Sequence, residues 1–204
     1  MSNKRWPEQF VVKDKYYHEA KKLWYRARSV FKLLEIQEKF NLIRPNYNVL
    51  DVWAAPWSFL QAIRKIIGDS WKIVGIDIQK IERFPFNNIF LLQESIFEKE
   101  KVTEFINSVW IKEFDVITSD IAPSTTGQTW VDQYRSVELN LAILDVADIF
   151  LKKWWNMILK VFVWEDVNDL VFPIKKRYEK FSRFKPRACR DRSFEEYFLC
   201  LGKK

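Results

Sequence analysis

The chain has 204 residues, with 34 Lys and Arg against 27 Asp and Glu and a formal net charge of +7. No apolar run approaches the roughly 18 residues of a membrane span, and the opening MSNKRWPEQF lacks the apolar stretch of a signal peptide. The two cysteines, Cys189 and Cys200, form no metal-ligand spacing and read as reduced packing residues, so the expectation is one cytoplasmic domain over residues 1–204 without metal.

In chain order, helical periodicity covers Asp14 to Lys22 and Ser29 to Phe40, the second with Val30, Phe31, Leu33, Leu34 and Ile36 on a broad apolar side. A strand from Asn48 to Val52 leads through a small-residue turn into an amphipathic helix from Phe59 to Ile67. Strands are then expected at Lys72–Ile76, Ile89–Leu92, Phe114–Ser119 and Asn156–Val163. Helices at Lys99–Val109, Gln133–Lys152 and Asp166–Tyr178 alternate with them. The pattern ends with strands at Arg183–Lys185 and Glu195–Leu201, joined by the basic loop Pro186–Ser193. Such alternation, with nearly continuous apolar strands, predicts an α/β fold: a mostly parallel seven-stranded sheet with helices on both faces and an antiparallel edge strand.

The charge is unevenly placed. Residues 1–32 hold nine Lys/Arg against three acids, residues 175–192 hold nine against two, and the stretch between holds fourteen against twenty. Two basic segments on an acidic body, interleaved with Trp6, Tyr16, Tyr17, Tyr25, Tyr178, Phe181 and Phe184, suit a polyanion whose bases stack and whose phosphates pair. Solvated helix faces around core aromatics are the simpler alternative.

Ten Trp stand beside four Gly, where glycine usually makes up roughly 7% of a chain. Trp53 and Trp57 occupy the turn Val52-Trp53-Ala54-Ala55-Pro56-Trp57-Ser58-Phe59, where backbone must approach a ligand and glycine is the residue that permits it. Trp71, Trp154-Trp155 and Trp164 also fall at the boundaries of expected elements, positions that favour glycine. The expectation is that most of these tryptophans stand where the working protein has glycine, through a codon that the source organism reads as glycine. A chain that carries tryptophan-rich loops as written is the other reading.

The 53–59 turn lacks the Gly-Lys-Ser/Thr ending of a nucleoside-triphosphate loop and departs from the dinucleotide fingerprint. Asp77 closes the second strand, where a carboxylate can accept both ribose hydroxyls of an adenosine; a turn or capping aspartate is the mundane alternative. The chain resembles the FtsJ/RrmJ-type ribose 2′-O-methyltransferases of large-subunit ribosomal RNA. The anchors are Tyr25 to Leu33 (YRARSVFKL), the 49–59 loop, Ser119-Asp120-Ile121-Ala122-Pro123, Leu159-Lys160-Val161-Phe162 and Arg192-Ser193-Phe194-Glu195-Glu196-Tyr197. Against the family pattern, Trp24, Trp53, Trp57, Trp71, Trp130, Trp154, Trp155 and Trp164 fall where glycine is usual, whereas Trp6 reads as a true tryptophan.

The resemblance implies a Rossmann-like methyltransferase fold, S-adenosyl-L-methionine as cofactor and a uridine of large-subunit (23S) rRNA as substrate, reached through segments 1–32 and 175–192. It places a catalytic tetrad at Lys32, Asp120, Lys160 and Glu195. A ribose 2′-hydroxyl is a poor nucleophile, so attack on a sulfonium methyl needs a base, and Lys160 is the candidate. Asp120 and Glu195 would orient the amines. For the cofactor it implies Trp53, Trp57 and Phe59 at the methionine end, Asp77 at the ribose, Asp120 at the methionine amino group and Ser95 at the adenine, where the family usually has an acid and neighbouring Glu94 is the alternative. A monomer is expected. Two other classes stay open: an inactive RNA-binding or ribosome-assembly factor if Trp53 and Trp57 are real, and a small-molecule or protein methyltransferase on the same sheet.

Overall fold

In a computed structural model, residues 15–81, 86–122, 128–163, 167–190 and 193–204 are described. Residues 1–14 of the expected basic segment 1–32, with Trp6, and Pro123, Trp164 and Arg192 lie outside them. Among the described residues, seven strands form one sheet: β1 (Val49–Val52), β2 (Ile73–Asp77), β3 (Ile89–Gln93), β4 (Phe114–Ser119), β5 (Leu151–Phe162), β6 (Tyr178–Phe184) and β7 (Glu195–Lys203). Their order is β3-β2-β1-β4-β5-β7-β6. The first five run parallel, and β7 lies antiparallel between β5 and β6. The expected antiparallel pair at one edge is present, with β7 one place in from the rim.

Alternate residues of the central strands face opposite ways, and each face is apolar. Leu50, Val74, Ile117, Leu159 and Phe198 join the core under α4 (Lys99–Ser108), α5 (Thr129–Phe150) and α6 (Asn168–Arg177). Val49, Ile73, Val116, Ile158, Tyr197 and Leu199 join the core under α2 (Val30–Phe40) and α3 (Ser58–Ile67), and α1 (Lys15–Lys22) adds Ala20. This double-sided burial is why the strands read as unbroken apolar runs.

Three boundaries differ from expectation. The long helix α5 begins at Thr129 and stops at Phe150, where Leu151 turns extended and pairs with Phe114, so the expected end at Lys152 is too late. Trp154-Trp155, expected as a helix-ending turn, lies inside β5, where the register jumps from Phe114↔Leu151 to Val116↔Asn156. A bulge absorbs the extra residues, and Trp154 takes φ 70° there. Finally β6 starts at Tyr178, where helix was expected. It takes in Glu179 and Lys180, which lie between the expected helix and the expected strand at Arg183–Lys185, and its charged outer residues Glu179, Lys180 and Arg183 suit an edge strand, whose open rim charge protects.

Candidate active site

The strand order reverses between β1 and β4, which opens a crevice at their carboxyl ends. A cleft of about 380 Å³ lies there, lined among others by Trp53, Asp77, Ser95, Ile96, Ile121 and Leu139. The turn after β1 is laid against β2: the N–H groups of Trp53 and Ala54 both donate to the carbonyl of Ile76, at 2.8 and 3.2 Å. Gly75 permits this approach, because a Cβ there would stand 2.9 Å from the Ala54 Cβ and from a methyl of Leu91. Asp77 secures the same turn. Its Oδ2 accepts from the Ala55 N–H at 2.8 Å and its Oδ1 from the Gln79 N–H at 2.7 Å. Burial raises the Asp77 pKa, and these backbone donors offset part of the rise.

Deeper in β1, Asp51 is fully buried and accepts from the Thr118 hydroxyl at 2.6 Å. Burial holds its carboxyl well above the usual carboxylate range, and the charges of Asp120 and Asp77 push the same way. Its Oδ2 has no hydrogen-bond partner among the described residues.

Four charged side chains from distant parts of the chain form two ion pairs. Lys160 Nζ lies 3.0 Å from Asp120 Oδ1, and Lys32 Nζ lies 2.8 Å from Glu195 Oε1. All four side chains are at most 15% exposed. Each position follows from the fold: Asp120 is the first residue beyond β4, Lys160 lies near the carboxyl end of β5, Glu195 opens the antiparallel β7, and Lys32 sits in the first turn of α2. Because β7 runs backwards, its start meets the end of β5, with Phe162 opposite Glu195 and Lys160 opposite Tyr197. The Tyr197 hydroxyl donates to Asp120 Oδ1 at 2.5 Å. Burial raises the Asp120 pKa, but the ammonium groups of Lys160 and Lys32, with the hydrogen bonds from Tyr197 and Lys160, outweigh it and hold the carboxylate below its ordinary value. Tyr197 is shifted up, first by burial and then by Asp120, so it remains a proton donor.

Residues 25–203 match the family described as FtsJ-like methyltransferase. The chain belongs to that family. It is 37% identical over 190 residues to a protein of Nitratidesulfovibrio vulgaris strain DP4 named ribosomal RNA large subunit methyltransferase E, covering 93% of each chain. A protein of the same name from Methanocaldococcus jannaschii is 38% identical over 211 residues, covering 99% of this chain and 84% of the relative. The fold is also that of a Plasmodium falciparum crystal structure whose name places it among ribosomal RNA methyltransferases, with TM-score 0.76 and 24% identity over 88% of this chain and 98% of that one.

Within this FtsJ-like methyltransferase, the four residues expected to act together are together. Of the expected cofactor contacts, Trp53, Asp77 and Ser95 line the cleft, and Asp120 adjoins its lining residue Ile121. Trp57 and Phe59 do not line it. Trp57 is 2% exposed, with the Arg26 guanidinium 4.4 Å from its ring centroid, and Phe59 stacks on Tyr197 with centroids 6.5 Å apart. Three supporting residues were missed in the sequence. Tyr197 lies inside a quoted motif, but its bond to Asp120 depends on strand register. Asn140 of α5 donates to the main-chain carbonyl of Lys160 at 3.1 Å, and Ser136 accepts from the Phe162 N–H at 3.4 Å. Both, like Gln133, are buried polar residues on a largely apolar helix face, the one signal that marked them.

The basic segment 175–192 is not one patch. The loop bearing Lys185, Arg187 and Arg190 leaves β6 at the carboxyl end of the sheet, on the tetrad's side, whereas Lys175, Lys176 and Arg177 precede β6 at the opposite end. The strand of seven residues between them spans about 20 Å. Arg177 is moreover paired with Asp148 at 2.9 Å.

Proposed function

We propose that this protein transfers a methyl group from S-adenosyl-L-methionine to the ribose 2′-hydroxyl of a uridine in large-subunit ribosomal RNA. The observation that carries the reading is the double ion pair of Lys160 with Asp120 and Lys32 with Glu195, beside a cleft at the sheet's reversal point. The relatives named ribosomal RNA large subunit methyltransferase E support the substrate class.

The cleft suits the cofactor. Its volume falls in the range of roughly 300–1,000 Å³ common to small-molecule sites. Ile96, Ile121 and Leu139 offer apolar walls for an adenine, Ser95 a hydroxyl for its amino group, and Asp77 acceptor oxygens for ribose hydroxyls. The carboxylate of Asp120, held below its ordinary pKa beside the cleft's lining residue Ile121, suits the cationic methionine amino group. When bound, S-adenosyl-L-methionine supplies an electrophilic methyl on a sulfonium.

The tetrad handles the proton. Lys160, with its proton given up to solvent beforehand, takes the hydrogen of the ribose 2′-hydroxyl as the oxygen attacks. Asp120 orients the amine and stabilises the ammonium that results, and Tyr197 and Asn140 keep the two in place. Lys32, held by Glu195, presents a positive charge to a phosphate of the RNA.

Replacing Lys160 by Ala removes the base while leaving the cleft walls untouched. The expected result is a fall in methyl transfer of roughly 10²–10⁴-fold with cofactor affinity essentially unchanged, read by tritium transfer to RNA and by calorimetry. Full turnover in the variant refutes the role of Lys160. Loss of cofactor binding would show that the side chain serves the cleft instead.

A further inference from the structure

Left-handed backbone is costly for any residue with a Cβ, and bulky side chains rarely adopt it. Among the described residues, nine have φ between +48° and +88°: Gly68, Gly202, Asn41, Asn46, Trp24, Trp53, Trp57, Trp110 and Trp154. Glycine and asparagine are the residues that tolerate this region. Every other occupant is tryptophan, with no Ala, Ser, Lys or Leu among them.

The local structures are ones that glycine normally builds. After α1, the Tyr25 N–H bonds the Ala20 carbonyl at 2.8 Å and the Trp24 N–H bonds the Lys21 carbonyl at 3.2 Å, which is the paired pattern of a Schellman helix end with Trp24 at its left-handed position. Trp110 stands just beyond α4 with φ 59° and bonds back to the Asn107 carbonyl. Trp154 sits at the β5 bulge. Trp53 and Trp57 begin and end the turn that lies against β2.

At the exposed positions packing does not account for the choice. Trp24, Trp110 and Trp154 are 87%, 89% and 71% exposed, so their indoles recover little of the strain through burial. Trp57 is the buried one, and Trp53 lines the cleft. The backbone makes no such demand at Trp71, Trp130 or Trp155, none of which has positive φ. Trp155 instead packs edge-on against Tyr47, with centroids 4.6 Å apart.

We propose that positions 24, 53, 57, 110 and 154 are glycine in the protein that the source organism makes, encoded there by a codon that it reads as glycine and that other codes read as tryptophan. Trp110 joins the set on its backbone alone, since its sequence surroundings did not single it out. Glycine at position 53 takes an indole out of the wall of the cleft, and at positions 24, 110 and 154 it removes an exposed ring from a strained site.

The test is peptide mass mapping of the protein purified from its source organism, with the gene read in parallel. Glycine is expected at all five positions, which share a codon other than the UGG of ordinary tryptophan, while Asn41 and Asn46 remain asparagine. Tryptophan at any of the five positions overturns the proposal, as does UGG in the gene at any of them. The readout is a residue mass, so it stands apart from the methyl-transfer reading: a protein with glycine at these positions and no transferase activity would defeat that reading and leave this one intact.

Discussion

Asp51 and Asp120 lie close to one another yet are held in opposite electrostatic states. Asp120 has two ammonium groups and a phenol hydroxyl to stabilise its charge, whereas Asp51 has one hydroxyl donor and two neighbouring carboxylates. The linkage signs follow. The depressed pKa of Asp120 contributes stability that is present above the unfolded value of about 3.9 and is lost as pH falls through the folded pKa. The raised pKa of Asp51 acts the other way, its contribution being complete below about 3.9 and lost as pH rises through the folded value. Asp51→Asn keeps the shape of the protonated acid and removes that titration. The variant is expected to match the parent in urea unfolding near pH 4 and to be the more stable of the two at pH 7. Equal stability at both pH values would mean that Asp51 is ionised in the folded protein.

Helix α2 does more than carry Lys32. Glu35, one turn further on, accepts from the main-chain N–H groups of Arg187 and Ala188 at 2.6 and 2.9 Å, and Arg28 donates to the Ala188 carbonyl at 3.2 Å. The loop before β7 is thus gripped from two points on the α2 side, which sets where β7 begins and so where Glu195 meets Lys32. Glu35→Ala leaves two backbone donors without their acceptor and is expected to cost about 1–3 kcal/mol. Faster hydrogen exchange at Arg187 and Ala188 should accompany the loss. Glu35→Gln, whose amide oxygen can still accept, should restore part of the protection; unchanged exchange in the Ala variant would show that the loop is held elsewhere. The same dependence on partners explains β5, whose early residues become strand because Leu151 finds Phe114 alongside it. A local reading extends the helix there, since nothing in the next few residues forbids it.

Across the molecule, strand connectivity sorts the basic charge. Nine Lys/Arg within residues 175–192 read as one segment along the chain, but β6 carries the chain from one end of the sheet to the other in their midst. The joint replacement of Lys185, Arg187 and Arg190 by Ala should therefore weaken binding of the rRNA substrate and flatten its salt dependence, by roughly 0.7–0.9 in the log–log slope for each phosphate left without its cation. Replacing Lys175 and Lys176 should leave the slope nearly as it was. Equal effects of the two variants, measured by salt titration of RNA binding, would mean that the RNA reaches both ends of the sheet.

The order of the elements and the parallel sheet were legible in the sequence because each rests on a short-range pattern, and the family resemblance singled out the four residues that form the two ion pairs. Apolar periodicity marks α2, α3 and the central strands, and Lys32, Asp120, Lys160 and Glu195 each lie inside a local motif. The scarcity of glycine beside abundant tryptophan was legible for the same reason, as composition needs no fold. What required tertiary structure was every relation set between distant segments: the bond from Tyr197 to Asp120, the support of Lys160 by Asn140, the division of the basic residues between two ends of the sheet, and the exclusion of Trp57 and Phe59 from the cleft. Strand register and helix docking decide these, and both arise from burying apolar faces that are remote in sequence. Which tryptophans stand at left-handed positions also belongs here, because φ at a turn is set by the elements the turn must join.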